Sequence, residues 1–227
     1  MPRSARLLFP GHPLHIVHRG VNRGVCFADD ADHSFYLGLL QELLRAAGCE
    51  LHAYVLMTNH VHLLITPGDA DSAARLMKPV AQRHAQRYNK RWKRTGPLWE
   101  GRFKSSLVDS HGYALSCHRY IEENPLRAGM VRHPATYRWS SFRANAMGYA
   151  CPFLTEHSSM QALHGDPVER LIAYRALFDT PMADREIEVF RRALKSGLAA
   201  GSPDFIERVG IASGRCAVRR NGYRAAA

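Results

Sequence analysis

The 227-residue chain predicts an α+β fold of ferredoxin-like type: an antiparallel sheet ordered βαββαβ in sequence, followed by one more helix. Three observations predict it. Short segments with period-two alternation occur at Leu14–Arg19, Cys49–Met57, His60–Thr66 and Phe103–Val108. Long stretches of helical periodicity fill the gaps after the first and third of these segments. Only Thr58 and Asn59 separate the middle two, and so tight a connection makes a hairpin. The pattern leaves helices on one face of the sheet and the other face available.

Each element has a local reason. Asp29 or Asp30 can cap a first helix in which Phe35, Leu39, Leu43 and Ala46 or Ala47 recur at helical spacing, and Gly48 stops it. In Cys49–Met57, Leu51, Ala53, Val55 and Met57 fall on one face and His52, Tyr54 and Leu56 on the other. Ala73, Leu76, Met77, Val80, His84 and Tyr88 line a second helix from about Asp71 to Trp92, and Pro79 within it predicts a kink or a late start. "RTGPLWEG" is a loop. Ser110 is the expected cap of a helix ending near Asn124, because the residue before Pro125 avoids the α region. Past Gly148 the character changes. Helices are expected near Pro167–Phe178 and Asp184–Leu198, so 1–145 reads as one domain and 146–227 as a helical, basic extension.

Composition narrows the function classes. With 31 Lys+Arg against 20 Asp+Glu the net charge is +11, which favours polyanion partners, nucleic acid first. The five cysteines (Cys26, Cys49, Cys117, Cys151 and Cys216) form no C-x-x-C pair and are odd in number. This argues against a zinc knuckle or disulfide framework and for reduced thiols in a cytosolic compartment. "MPRSARLLFPGHP" lacks a signal-peptide core, and no run approaches 18 apolar residues, so neither export nor a membrane span is expected.

His60 and His62 sit two apart in a strand, hence on one face and roughly 7 Å apart, close enough to converge on a divalent ion. Packed or surface histidines explain most such pairs, and His12, His15 and His18 show a spacing of their own. Tyr120 and Asn124 are four apart on one helical face. A phenol beside a metal-ligating amide suits phosphoryl transfer; the alternative is a half-buried helix tyrosine on a stripe with Tyr113 and Cys117. Ten Lys/Arg and one acid, Glu100, lie between Arg75 and Lys104, interleaved with Tyr88, Trp92 and Trp99. Cations track phosphates and aromatic rings stack unpaired bases. The candidate DNA contacts are Arg83, Arg87, Lys90, Arg91, Lys93, Arg94, Trp99, Arg102 and Lys104, with Arg19, Asn22 and Arg23 after the first strand. Arg215, Arg219, Arg220 and Arg224 in the tail extend the set.

Four stretches, "PGHPLHIVHRGVNRGVCF", "VLMTNHVHLLITP", "GPLWEGRFKSSLVDS" and "YIEENPLRAGMV", occur in that order. Together they resemble the HUH single-tyrosine transposases, specifically the REP-associated tyrosine transposases, over about residues 1–145. "DREIEVFRRALKSGLAAGSPDF" is similar to the extension that many of these proteins carry. The resemblance implies a metal-dependent endonuclease that cleaves and rejoins single-stranded DNA at palindromic hairpins. It implies His60 and His62 as metal ligands flanking Val61, Asn124 as a further ligand, and Tyr120 as the nucleophile of a 5′-phosphotyrosine link. The implied ion is Mg²⁺ or Mn²⁺; two nitrogen ligands suit manganese, whereas magnesium prefers oxygen. The implied setting is the bacterial cytoplasm at the nucleoid, as a monomer or homodimer without membrane association. A hairpin-binding module using an open, RNA-binding-like sheet without chemistry is the rival from another class. A replication initiator or relaxase with the same chemistry is the rival enzyme.

Overall fold

The computed structural model describes residues 9, 11–110 and 112–212; the tail arginines from Arg215 onward lie outside them. Strands β1 (Leu14–Arg19), β2 (Cys49–Met57), β3 (His60–Pro67), β4 (Lys104–Val108) and β5 (Ala199–Ala200) form one sheet in the order β2-β3-β1-β4-β5. All pairs are antiparallel except β4 with β5. Helices α1 (Asp30–Ala47) and α2 (Ser72–Arg91) make the crossovers of the ferredoxin-like half. Then come α3 (Ala114–Glu122), α4 (Asn124–Arg127), α5 (Phe142–Met147), α6 (Ser158–Gln161), α7 (Pro167–Ala176), α8 (Asp184–Ser196) and α9 (Pro203–Ala212).

The local expectations meet the structure unevenly. Asp29 caps α1 by accepting from the Ala31 and Asp32 N–H groups, and Gly48 closes it with φ 66°. The β2 alternation is broken. A bulge lies between Leu51 and Ala53, pairing Leu51 with Ile65 but Ala53 with Leu64, so Leu51 and Ala53 occupy opposite faces. Helix α2 does not start late: it begins at Ser72 and runs through Pro79. Ser110 does not cap α3; Tyr113 stands at that position and makes no side-chain cap bond. Pro125 starts the short α4 rather than ending a helix, since a proline in the first turn has no N–H to waste.

The expectation of one open sheet face is also overturned. Helices α1 and α2 cover the face carrying Leu14, Ile16 and His18, where Trp99 stacks on His18 with ring centroids 4.3 Å apart. The other face carries His15, Val17, His60 and His62 by the β1–β3 register. It is covered in turn by α3, packed on β2 and β3, and by α8, packed on α3 and β4. An exposed apolar face would be costly, and the amphipathic α8 supplies Ile187, Phe190 and Ala193 to close this one.

Residues that follow α3 in the chain brace it from behind. Glu122, fully buried at the end of α3, accepts hydrogen bonds from Ser141 Oγ (2.5 Å), Asn145 Nδ2 (2.9 Å) and Tyr174 Oη (2.8 Å). Burial raises its pKa to about 7 despite these three donors. The bonds tie α3 to α5 and α7 two residues from Tyr120.

Candidate active site

Where α3 and α8 diverge over the histidine face, a cleft of about 700 Å³ remains. His60, His62, Tyr120 and Asn124 all line it. Strand pleating puts the two imidazoles side by side, with ring centroids 4.9 Å apart. One helical turn puts Asn124 beside the tyrosine: its Nδ2 donates to the Tyr120 carbonyl at 2.8 Å, which fixes the amide orientation and leaves Oδ1 outside that bond. The Tyr120 ring lies 5.8 Å from that of His62 and 5.5 Å from that of His15.

Both strand histidines are held by Nδ1. His60 Nδ1 donates to Asn59 Oδ1 (2.6 Å), and His62 Nδ1 meets His15 Nε2 (2.7 Å). Each therefore has Nε2 left over. Burial is the main cause that keeps them neutral: it lowers the pKa of His60 to about 4 and that of His62 well below the usual imidazole range. Neutral imidazole is the ligating form. Among the described residues no three His, Cys, Asp or Glu side chains converge on a metal-sized site, so a third protein ligand to any ion held here would come from another residue type. The Asn124 amide oxygen is such a donor, and two imidazole nitrogens with one oxygen fit a borderline divalent ion.

Tyr120 is 6% exposed, and burial raises its pKa. Two cations oppose that effect. Arg127 lies over the ring with its guanidinium carbon 4.6 Å from the centroid and donates to the Tyr120 carbonyl. Arg191, on α8, reaches the phenol and lowers its pKa.

The DNA-contact residues expected from sequence divide sharply. Arg19, Asn22, Arg23, Arg102 and Lys104 line the cleft. The tight Gly20–Gly24 loop turns Asn22 and Arg23 toward it with φ of 53° and 57°. A Cβ on Gly20 would sit 2.2 Å from the Gly24 carbonyl oxygen, so only glycine allows the loop to double back. Backbone bonds from Val21 to Leu98 and from Glu100 to Arg19 bring the 98–102 loop alongside. Arg83, Arg87, Lys90, Arg91, Lys93 and Arg94 belong to α2 or its C-terminal end, behind the sheet, and do not line the cleft. Several have other partners: Arg83 forks onto Glu42, Arg91 onto Asp29 and Asp32, while Arg87 and Arg94 lie over Phe35 and Tyr88. Trp99 is a correction. It is 8% exposed, stacked on His18, and its indole N–H donates to the Ala81 carbonyl at 2.9 Å, so neither ring face is open to a base.

Sequence reasoning missed Arg191, Leu194 and Lys195, which form the α8 wall of the cleft. Part of their signal lay in the sequence: one turn apart, they border the apolar stripe of Ile187, Phe190 and Ala193, which marks a helix edge but not the surface it meets. Phe190 packs its ring 5.2 Å from Tyr120 and fixes which way that border faces. His15 was noted only for its spacing, and Glu100 only as the acid in a basic run; among the described residues Glu100 is the sole carboxylate lining this cleft.

The solved structure of a REP-associated tyrosine transposase bound to a REP hairpin superposes with a TM-score of 0.54 at 18% identity, covering 68% of this chain and 92% of that one. At that identity the likeness bears on the fold. A crystal structure from Deinococcus radiodurans described as a transposase aligns at 22% identity over 54% of this chain and 97% of that one, with a TM-score of 0.37 too low to weigh. A comparison with curated proteins found no match. No helix among the described residues is long and apolar enough to cross a membrane. The model of the family described as "Transposase IS200 like" matches residues 10–124, just over half of the chain, from ahead of β1 to the asparagine of the cleft. On that match the chain belongs to the IS200-like transposase family.

Proposed function

We propose that this transposase cleaves and rejoins single-stranded DNA at palindromic hairpins through a 5′-phosphotyrosine intermediate on Tyr120. One observation carries the reading: Tyr120, His60, His62 and Asn124 line a single cleft walled by Arg19, Arg23, Arg102, Lys104, Arg191 and Lys195. In the cleavage step the Tyr120 oxygen forms a bond to the scissile phosphorus, the bond from phosphorus to the 3′-side oxygen breaks, and that oxygen leaves with a proton as a 3′-hydroxyl. One phosphodiester replaces another, so the reverse step restores the strand. The phenol is a poor nucleophile while protonated. Arg127 and Arg191 supply positive charge where the phenolate and the phosphorane develop negative charge. His60 and His62 through Nε2, and Asn124 through Oδ1, would hold Mn²⁺ or Mg²⁺. A bound divalent ion would polarise the phosphate oxygens and neutralise developing charge.

The hairpin substrate is drawn from the relative of similar fold, which was solved with a REP hairpin. The cleft's six basic side chains against Glu100 suit a phosphate backbone. Tyr120 stands beside the histidines of its own chain, which supports action within one subunit.

The test uses labelled single-stranded hairpin oligonucleotides from the DNA flanking the gene, with wild type, Tyr120→Phe and wild type plus EDTA. A covalent protein–DNA band on a denaturing gel is expected only with wild type and metal. Tight hairpin binding without a band in any lane would instead leave a binding module.

A further inference from the structure

We propose that His15 is a positioning residue of the metal site, accepting the Nδ1–H of His62 so that His62 Nε2 is left bare for the ion. The inference rests on the reading of His60 and His62 as ligands of a divalent cation. A neutral imidazole carries one N–H, and a ring that ligates through Nε2 has to keep its proton on Nδ1. The residue facing Nδ1 therefore decides whether the ring can ligate, and such partners are as much a part of a metal site as the ligands.

The two ligand histidines are supported differently. His60 Nδ1 faces the Asn59 side-chain oxygen at 2.6 Å, an atom that only accepts; the proton is forced onto Nδ1 and Nε2 stays bare. His62 Nδ1 faces His15 Nε2 at 2.7 Å, an atom that can donate or accept. If His15 donates, His62 carries its proton on Nε2, facing the cleft, and cannot ligate. If His15 accepts, His62 is preset, and the His15 proton sits on Nδ1. That nitrogen is buried and has no partner among the described residues, so no other group fixes the choice. Only the accepting form leaves His62 competent to hold an ion.

Packing holds His15 to this task. It is fully buried, its ring plane is 24° from that of His62, and it is edged by Tyr120 (5.5 Å) and Phe190 (6.4 Å). The strand register sets it diagonal to His62, opposite Leu64, where a long side chain reaches across the β1–β3 pair.

The experiment titrates Mn²⁺ calorimetrically into the full chain without DNA, comparing wild type, His15→Leu and His15→Gln, with melting curves to check folding. His15→Leu should weaken Mn²⁺ binding by roughly 10–100-fold. His15→Gln, whose Oε1 can accept at the place of Nε2, should stay within about threefold of wild type. A folded His15→Leu with wild-type affinity would overturn the proposal, as would a His15→Gln as weak as His15→Leu. Nitrogen NMR of the Mg²⁺-loaded wild type gives a readout that needs no variant. His15 protonated on Nδ1 and bare at Nε2 is expected, and a His15 proton on Nε2 would refute its role. A wild type that binds no Mn²⁺ would instead bring down the metal reading itself, a different result from a binding wild type with an indifferent leucine variant.

Discussion

The two faces of the sheet carry the same residue types and put them to opposite use. Behind the sheet, His84 Nε2 donates to the Cys26 carbonyl, His18 Nε2 to the Gly101 carbonyl and Trp99 Nε1 to the Ala81 carbonyl. These rings interlock with Phe27 and Tyr36 and are core. In front, His60 and His62 each bind a neighbour through one nitrogen and line the cleft. Burial therefore does not separate a core histidine from a cleft-lining one, since His62 and His84 are both almost wholly buried. The position of the second nitrogen does. The same holds for the cations: those of α2 lie behind the sheet, several of them over rings or against carboxylates, whereas the front-face cations meet one acid among six bases.

Substitutions can break this comparison, starting with the largest effect. Trp99→Ala should cost about 3–5 kcal/mol in chemical denaturation, as large aromatic deletions in a core do. The DNA affinity of its folded fraction should be unchanged; Tyr120→Phe should do the reverse, losing the covalent adduct with little change in melting temperature. A Trp99→Ala protein of full stability and weak DNA binding would return the tryptophan to the DNA surface. Arg191→Ala should slow single-turnover adduct formation by roughly 100-fold, the scale for removing one preorganised donor. Binding of the same hairpin by a Tyr120→Phe/Arg191→Ala protein should fall far less.

Acidity sharpens the contrast on the core side. Burial lowers the pKa of His84 to about 4, below the 6.5 of an unfolded histidine. Between these values the unfolded chain binds the proton and the folded one does not. The contribution of His84 is thus intact above pH 6.5 and is lost as pH falls toward 4, at up to about 1.4 kcal/mol per pH unit. Urea denaturation across pH 7 to 5 should show that slope, and His84→Gln should make it shallower. The smallest effect separates two surface cations. Lys104→Ala should reduce the log–log salt slope of single-strand binding by about 0.7, one phosphate's worth, and Arg83→Ala should leave it unchanged. Equal slopes for the two would mean that DNA wraps behind the sheet as well.

Much of the fold was legible because it is local. Period-two alternation located β1 and the β2–β3 hairpin, and Asp29 with Gly48 marked the ends of α1. The bulge at His52 was not legible, because nothing in the alternation marks the extra residue. In the site, the H-x-H pair and the tyrosine–asparagine turn were visible as spacings, and the structure brings all four to one cleft. Arg191 and His15 were not seen as parts of it. An amphipathic pattern says that α8 has an apolar face without saying which surface that face meets. His15 gains its meaning only when β1 is laid against β3. Trp99 failed for the converse reason: a tryptophan within a basic run reads as a stacking platform until Ala81 and His18 are found against it.

Residues 139–141 and Leu154 also lie along the outer side of β2. Ser140 bridges Val55, the Leu56 N–H bonds to the Trp139 carbonyl, the Ser141 N–H bonds to the Tyr54 carbonyl, and Leu154 bridges Leu51 further along. A strand left bare on its outer side is a template for other chains. A chain shortened at residue 138 would leave the β2 template uncovered and invite self-association, so residues 139–154 act here as a built-in guard on solubility. The same guard means that a second copy cannot lengthen the sheet from β2 without first peeling that segment away.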